Sequence, residues 1–280
     1  MSQAQVIEAP VGLLPLPRPL MTSEVLDAAY RVFRAGILRS LPYSILLLLL
    51  IRLPDVYHLF IDPTWFSEIA GIFDLNPTQF GYTVAILLAV PLLGAIILRL
   101  HAVARGERPR FRPEIGTAVL RWPAALIATF GAFFIPVSLL ILGPAFTNGL
   151  STEAVVFLAL LLFWPTAFFV VALPAYWCDR IGPFEAIVKS VAISVRKSWR
   201  MVGALLAAIC VVNVFYVVAL VIVGVFIPLL VSADLFLFAT LESLVFVVVG
   251  AFGVPFFLAM LIVAYRDLDL RHRERKGEAP

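Results

Sequence analysis

Six stretches of the chain, at about residues 36–56, 80–100, 117–143, 154–177, 201–231 and 236–265, run almost unbroken through apolar side chains. A hydrocarbon core takes roughly 20 such residues per helical crossing, so each stretch is long enough to span it. No water is present inside a bilayer to satisfy peptide groups, so only helices and closed barrels cross, and a barrel would need an alternating polarity that these stretches lack. The expected fold is therefore all-α: a polytopic transmembrane helical bundle of six spans, with amphipathic interfacial helices on the cytoplasmic side. A composition of 62% hydrophobic and 14% charged residues excludes a water-soluble globule, in which charge approaches a quarter of the chain. Pro42, Pro91, Pro136, Pro165, Pro174, Pro228 and Pro255 fall inside the stretches, so kinks are expected.

The basic residues fall almost wholly on one side. Arg18, Arg31, Arg34 and Arg39 precede the first span, and Arg99, Arg105, Arg108, Arg110, Arg112 and Arg121 join the second to the third. Arg180, Lys189, Arg196, Lys197 and Arg200 join the fourth to the fifth, and Arg266, Arg271, Arg273, Arg275 and Lys276 follow the sixth. Only Arg52 lies opposite, among Asp55, Asp62, Glu68, Asp74, Glu153, Asp234 and Glu242. The positive-inside rule then puts both termini in the cytoplasm. The net charge of +3 thus reflects topology, and no nucleic-acid partner is expected. The first basic residue is Arg18, and four prolines lie among residues 10–19, which predicts a disordered lead over 1–20 rather than a secretion signal. Cys178 and Cys210 lack CxxC spacing and read as small buried apolar side chains.

Helical periodicity makes residues 23–40 an amphipathic lead-in helix. Leu26, Ala29, Tyr30, Phe33 and Ile37 share one face and Glu24, Asp27, Arg31 and Arg34 the other, with Ser23 as N-cap and Asp27 to Arg31 as an i,i+4 pair. Residues 184–200 repeat the design, setting Glu185, Lys189, Arg196 and Arg200 against Ile187, Val191, Val195 and Trp199. Pro113, Glu114 and Arg121 form a shorter echo. The membrane domain, 21–270, then reads as hairpin units 23–100, 113–178 and 183–266, followed by a cytoplasmic tail over 271–280. Any helix entering a membrane from the cytoplasm tends to be basic and amphipathic, which explains much of the likeness without duplication. Residues 53–79 are expected to form an extracytoplasmic loop with a short surface helix, anchored at headgroup depth by Trp65 and Phe66.

The segment Pro19 to Arg39, with Ser23-Glu24-Val25-Leu26-Asp27-Ala28-Ala29-Tyr30 and then spaced arginines, resembles the opening of a family of bacterial six-span proteins. That family includes the membrane domain fused to some glycerophosphodiester phosphodiesterases. Gly182-Pro183-Phe184-Glu185-Ala186-Ile187 through Ser190, with Trp199-Arg200, is similar to its second signature, and Tyr265-Arg266-Asp267-Leu268 with Arg271 and Arg273 to its closing motif. The resemblance implies the same topology in a bacterial inner membrane. The sequence holds no hydrolase segment, so the phosphodiesterase activity of the fused relatives is not implied.

Catalysis or metal transport inside a membrane needs ionisable groups facing one another there, and few are available. His58, His101 and His272 lie in different connections or tails without metal-ligand spacing, and GxSxG, GxGxxG and P-loop motifs are absent. No enzyme, metal or cofactor is expected. Among polar residues in apolar stretches, Glu242 could line a vestibule, take a proton or pair with Arg52, while Asn213 reads as interhelical glue. Arg31, Arg34, Arg39, Lys189, Arg196 and Arg200 are candidate contacts for lipid headgroups or an interface, or simply fix orientation. The expected function is a non-catalytic inner-membrane protein acting through membrane lipids or a membrane-protein partner. The alternative is a transporter or channel for a small solute, in which kinked spans enclose a path.

Overall fold

The computed structural model describes residues 12–14, 16, 18–60, 77–132, 166–195, 198–226 and 235–277. All its regular structure is helical: α1 (Thr22–Phe60), α2 (Pro77–Ala104), α3 (Phe111–Leu120), α4 (Trp122–Ala132), α5 (Thr166–Asp179), α6 (Pro183–Ser194), α7 (Ser198–Val221) and α8 (Leu235–Lys276). Among the described residues, four helices are long and apolar enough to cross a membrane, Thr22–Arg52, Gly81–Ala104, Trp199–Val225 and Thr240–Lys276. The bent pair α3 and α4 makes a fifth if it counts as one span. The stretch 133–165, with Pro136 and Pro165, lies outside the described residues, as do Pro228, Trp65 and Phe66.

Helices α1 and α8 pack on one another and run antiparallel. Leu20 reaches Asp267 at one end, Phe33 meets Phe256 edge to face at 5.5 Å between ring centroids, and Arg52 lies over Phe246 at the other end. Helix α1 also packs antiparallel on α2, and α7 antiparallel on α8, so hairpins exist where the first and third units were expected.

No separate lead-in helix precedes the first span, because α1 is continuous for 39 residues. At 1.5 Å per residue that is about 58 Å, nearly twice a hydrocarbon core of about 30 Å. Its buried stripe is Val25, Ala29, Val32, Gly36, Ser40 and Tyr43, one position away from the expected face, and Tyr30 is 52% exposed. Nor is Ser23 the N-cap. Glu24 reaches back to accept the Met21 N–H at 2.6 Å, the carboxylate half of a capping box, and Arg18 braces Glu24 at 2.6 Å. The expected Asp27 to Arg31 pair is present at 2.5 Å.

The third apolar stretch does not start as one straight span at 117. α3 and α4 meet at Arg121 with a 75° bend. Pro123 lacks an N–H and its ring would strike the carbonyl four residues back, so the helix cannot pass straight through. Pro91 poses the same problem inside α2, which nevertheless continues. The Leu87 carbonyl it orphans accepts the Trp122 indole N–H at 2.7 Å.

Close helix contacts rest on glycine. A Cβ on Gly94 would lie 2.3 Å from the indole of fully buried Trp177. Gly94→Ala is expected to lower stability by about 1–3 kcal/mol through overpacking. A melting temperature in detergent equal to that of the wild type would contradict this.

Candidate functional site

Two of the ionisable side chains predicted to decorate the membrane surface, Lys189 and Arg200, are bonded inward, at the end of the bundle where α1 begins and α8 finishes. Asp179, the last residue of α5, is the hub. Its Oδ1 pairs with Arg266 Nη1 at 2.8 Å, and its Oδ2 accepts from Lys189 Nζ at 2.7 Å and from the Tyr265 hydroxyl. Lys189 continues to Asp269 Oδ1 at 3.0 Å, and Arg273 closes the chain on Asp269 Oδ2 at 3.0 Å. Three elements, α5, α6 and α8, are thus tied by charge, and the Arg266 Nη2 lies 3.5 Å from His101 Nε2 of α2, within hydrogen-bond reach. Burial alone would raise the Asp179 carboxyl, but the hydrogen bonds from Lys189 and Tyr265 and the Arg266 charge outweigh it and hold it below the ordinary carboxylate range.

Beside this hub, Arg99 and Glu114 form a buried pair joining α2 to α3. Arg99 donates from Nε at 2.8 Å and Nη2 at 2.7 Å, both to Glu114 Oε2, and each side chain is 9% exposed. Arg99 also donates to the Tyr43 hydroxyl at 3.1 Å and to the Arg39 carbonyl, and its guanidinium lies 4.5 Å from the Tyr43 ring centroid. Arg121, at the α3–α4 bend, donates to the Tyr176 carbonyl at 3.2 Å and the Ile181 carbonyl at 2.7 Å, capping carbonyls at the end of α5.

The described part of the N-terminal segment docks onto this end, within the stretch 1–20 expected to be a disordered lead; residues 1–11, 15 and 17 lie outside the described residues. Leu14 and Leu16 are buried, and Leu14 N–H donates to the Ala104 carbonyl at 2.9 Å. Leu20 is clamped: its N–H donates to Asp267 at 2.7 Å while its carbonyl accepts from Arg200 and Arg271, each at 2.6 Å.

These contacts redistribute the predicted site residues. Lys189 and Arg200 are bonded to groups of the interior, Lys189 to Asp179 and Asp269 and Arg200 to the Leu20 carbonyl, while Glu185, Phe184 and Val188 of α6 are exposed. Trp199, placed on the apolar face of the lead-in helix, is 74% exposed. Arg31, Arg34 and Arg39 face outward. Arg196 and Lys197 lie outside the described residues. Glu242 is half-buried, and the Arg52 guanidinium sits 5.2 Å from the Phe246 ring centroid. Asn213 is exposed and donates to the carbonyl of Ile209 in its own helix at 2.9 Å, so it glues no described neighbour. Cys210 is exposed rather than buried. Burial pushes the Cys178 thiol up to about 12, above the ordinary thiol range.

Sequence reasoning missed Asp179, Asp267 and Asp269 as a set. The signal lies in the sequence itself, where these three acids share the basic side with the cations that pair with them.

Two cavities adjoin at His101, Arg105 and Cys178. One, of about 340 Å³, is lined by Leu14, Leu16, Arg266, Asp269 and Arg273. The other, of about 720 Å³, opens between the ends of α2, α3 and α5 and is lined by Arg105, Arg108, Arg110 and Arg180 together with His101, Glu114 and Trp177. Compared with known proteins, the chain is matched by no family model, no curated protein and no solved structure.

Proposed function

We propose that this chain is a non-catalytic, six-span protein of a bacterial inner membrane, with both termini cytoplasmic, that acts through lipid contacts at its basic end. The observation that carries the reading is the division of labour among the charges there. Asp179, Asp269 and Glu114 are each bonded to cations of neighbouring elements, and Asp267 to Arg271 of its own helix and to the Leu20 N–H, whereas Arg31, Arg34 and Arg39 face outward along α1, flanked by exposed Tyr30 and Leu38. An outward row of arginines beside apolar side chains suits anionic headgroups, at about 1 kcal/mol per charge. The one-sided distribution of Lys and Arg supports the orientation.

The test has two parts. A reporter active on only one side of the membrane, fused at residue 148 and at residue 280, is expected to give opposite signals. In nanodiscs of mixed phosphatidylglycerol and phosphatidylcholine, the triple variant Arg31→Gln, Arg34→Gln, Arg39→Gln is expected to retain less phosphatidylglycerol by native mass spectrometry. Equal retention, or matching reporter signals, would defeat the reading.

A further inference from the structure

We propose that the cleft of about 720 Å³ between α2, α3 and α5 binds a phosphate ester that carries an N–H or O–H donor, with Arg180 as one of its anchors. This deepens the lipid-contact reading and rests on it only for the source of the ligand. Three independent features of the cleft converge on that chemistry.

The first is uncommitted positive charge. The acids lining the cleft are spoken for: Glu107 pairs with Arg105 at 3.1 Å, Glu114 with Arg99, and Asp179 with Lys189 and Arg266. Arg108, Arg110 and Arg180 have no carboxylate partner among the described residues. Guanidinium forks match phosphate oxygens in pairs, which makes a phosphate the natural counter-charge.

The second is backbone strain. Arg180 caps α5 at φ +57°, the one non-glycine residue with positive φ among the described residues. Glycine is the ordinary occupant of such a cap, because a Cβ is strained there. An arginine held in that conformation on the wall of a cationic cleft is the kind of outlier that clusters at ligand sites.

The third is a set of unmatched polar atoms. Trp177 Nε1, His101 Nδ1 and Glu114 Oε1 have no hydrogen-bond partner, and all three residues are more than nine-tenths buried on this cleft. Leaving such groups unpaired is unfavourable. A bare anion answers the Trp177 N–H but faces Glu114 Oε1 with nothing to donate. An ester with both phosphate oxygens and a hydroxyl or amine answers both, and it could be a lipid headgroup or a soluble molecule.

The experiment uses the full chain in micelles and titrates it with O-phosphoethanolamine, phosphocholine and inorganic phosphate; phosphocholine has the same phosphate and cationic end without the N–H donors. Phosphoethanolamine is expected to bind at least tenfold more tightly than the other two. Arg108→Gln with Arg110→Gln is expected to weaken it tenfold or more, and Arg180→Gly to weaken it while raising the melting temperature, since glycine relaxes the cap. That opposition separates a ligand anchor from a folding role. In nanodiscs, retention of phosphatidylethanolamine over phosphatidylcholine identifies a lipid source, and tight phosphoethanolamine binding without such retention a soluble one. Binding that ignores these substitutions, phosphocholine binding as tightly, or no saturable binding of phosphoethanolamine or phosphatidylethanolamine overturns the proposal. Because the outward arginines of α1 are unaltered, failure here leaves the lipid-contact reading standing, and failure of that reading leaves phosphoethanolamine binding in micelles intact.

Discussion

Asp179→Asn is expected to lower the stability of the bundle by about 3 kcal/mol, the lower end of the cost of breaking a buried ion pair from one side. The lower end applies because Lys189 keeps Asp269 and because the Lys189 and Arg266 side chains retain 25% and 20% exposure. The substitution removes the charge that three elements share while keeping the size of the side chain, so packing changes contribute little. It also alters the response to acid. A carboxyl whose folded pKa is depressed stabilises the fold fully above its unfolded value, near 4, and loses that contribution as the pH falls through the folded value. The wild-type protein is therefore expected to lose stability steeply below about pH 4, and the Asn variant to show a shallower fall over the same range. Unfolding in mixed micelles from pH 3 to 7 measures both. An Asn variant with the wild-type midpoint and slope would show that the hub at Asp179 holds nothing together.

The second large effect concerns Arg99 and Glu114. Arg99→Met alone strands a carboxylate that is 9% exposed and is expected to cost about 3–5 kcal/mol. Adding Glu114→Leu removes the stranded charge and is expected to recover most of the loss, because a buried pair replaced by apolar groups of similar size is often nearly neutral. About 1–2 kcal/mol should remain, since Arg99 also donates to Tyr43 and to the Arg39 carbonyl. A double variant as unstable as the sum of the two singles would mean that the residues contribute separately and that their 2.7 Å contact carries no coupling.

Long apolar runs made the helical class legible, since peptide groups in lipid must bond within their own helix, and the i,i+4 pair of Asp27 and Arg31 followed from helical spacing alone. Helix ends and faces were less legible. Ser23 and Glu24 are neighbours with opposite claims on the same N-terminus. The contest went to Glu24, whose carboxylate reaches the Met21 N–H and is braced by Arg18. Pro91 and Pro123 look alike in sequence, yet α2 continues through the first and the chain bends at the second. The difference is Trp122, which satisfies the carbonyl that Pro91 orphans.

The chain's order of residues alone determined that apolar helices form and that cations gather at one end, because hydrophobic length and the placement of Lys and Arg are local properties. Only tertiary structure decided which of those cations look outward. Lys189 and Arg200 sit on helices whose periodicity faces them toward water, but Asp179, Asp269 and the Leu20 carbonyl lie within 3.0 Å of them in the folded bundle. No spacing rule reveals a partner 180 residues away: charge pairing across helices depends on how they are stacked.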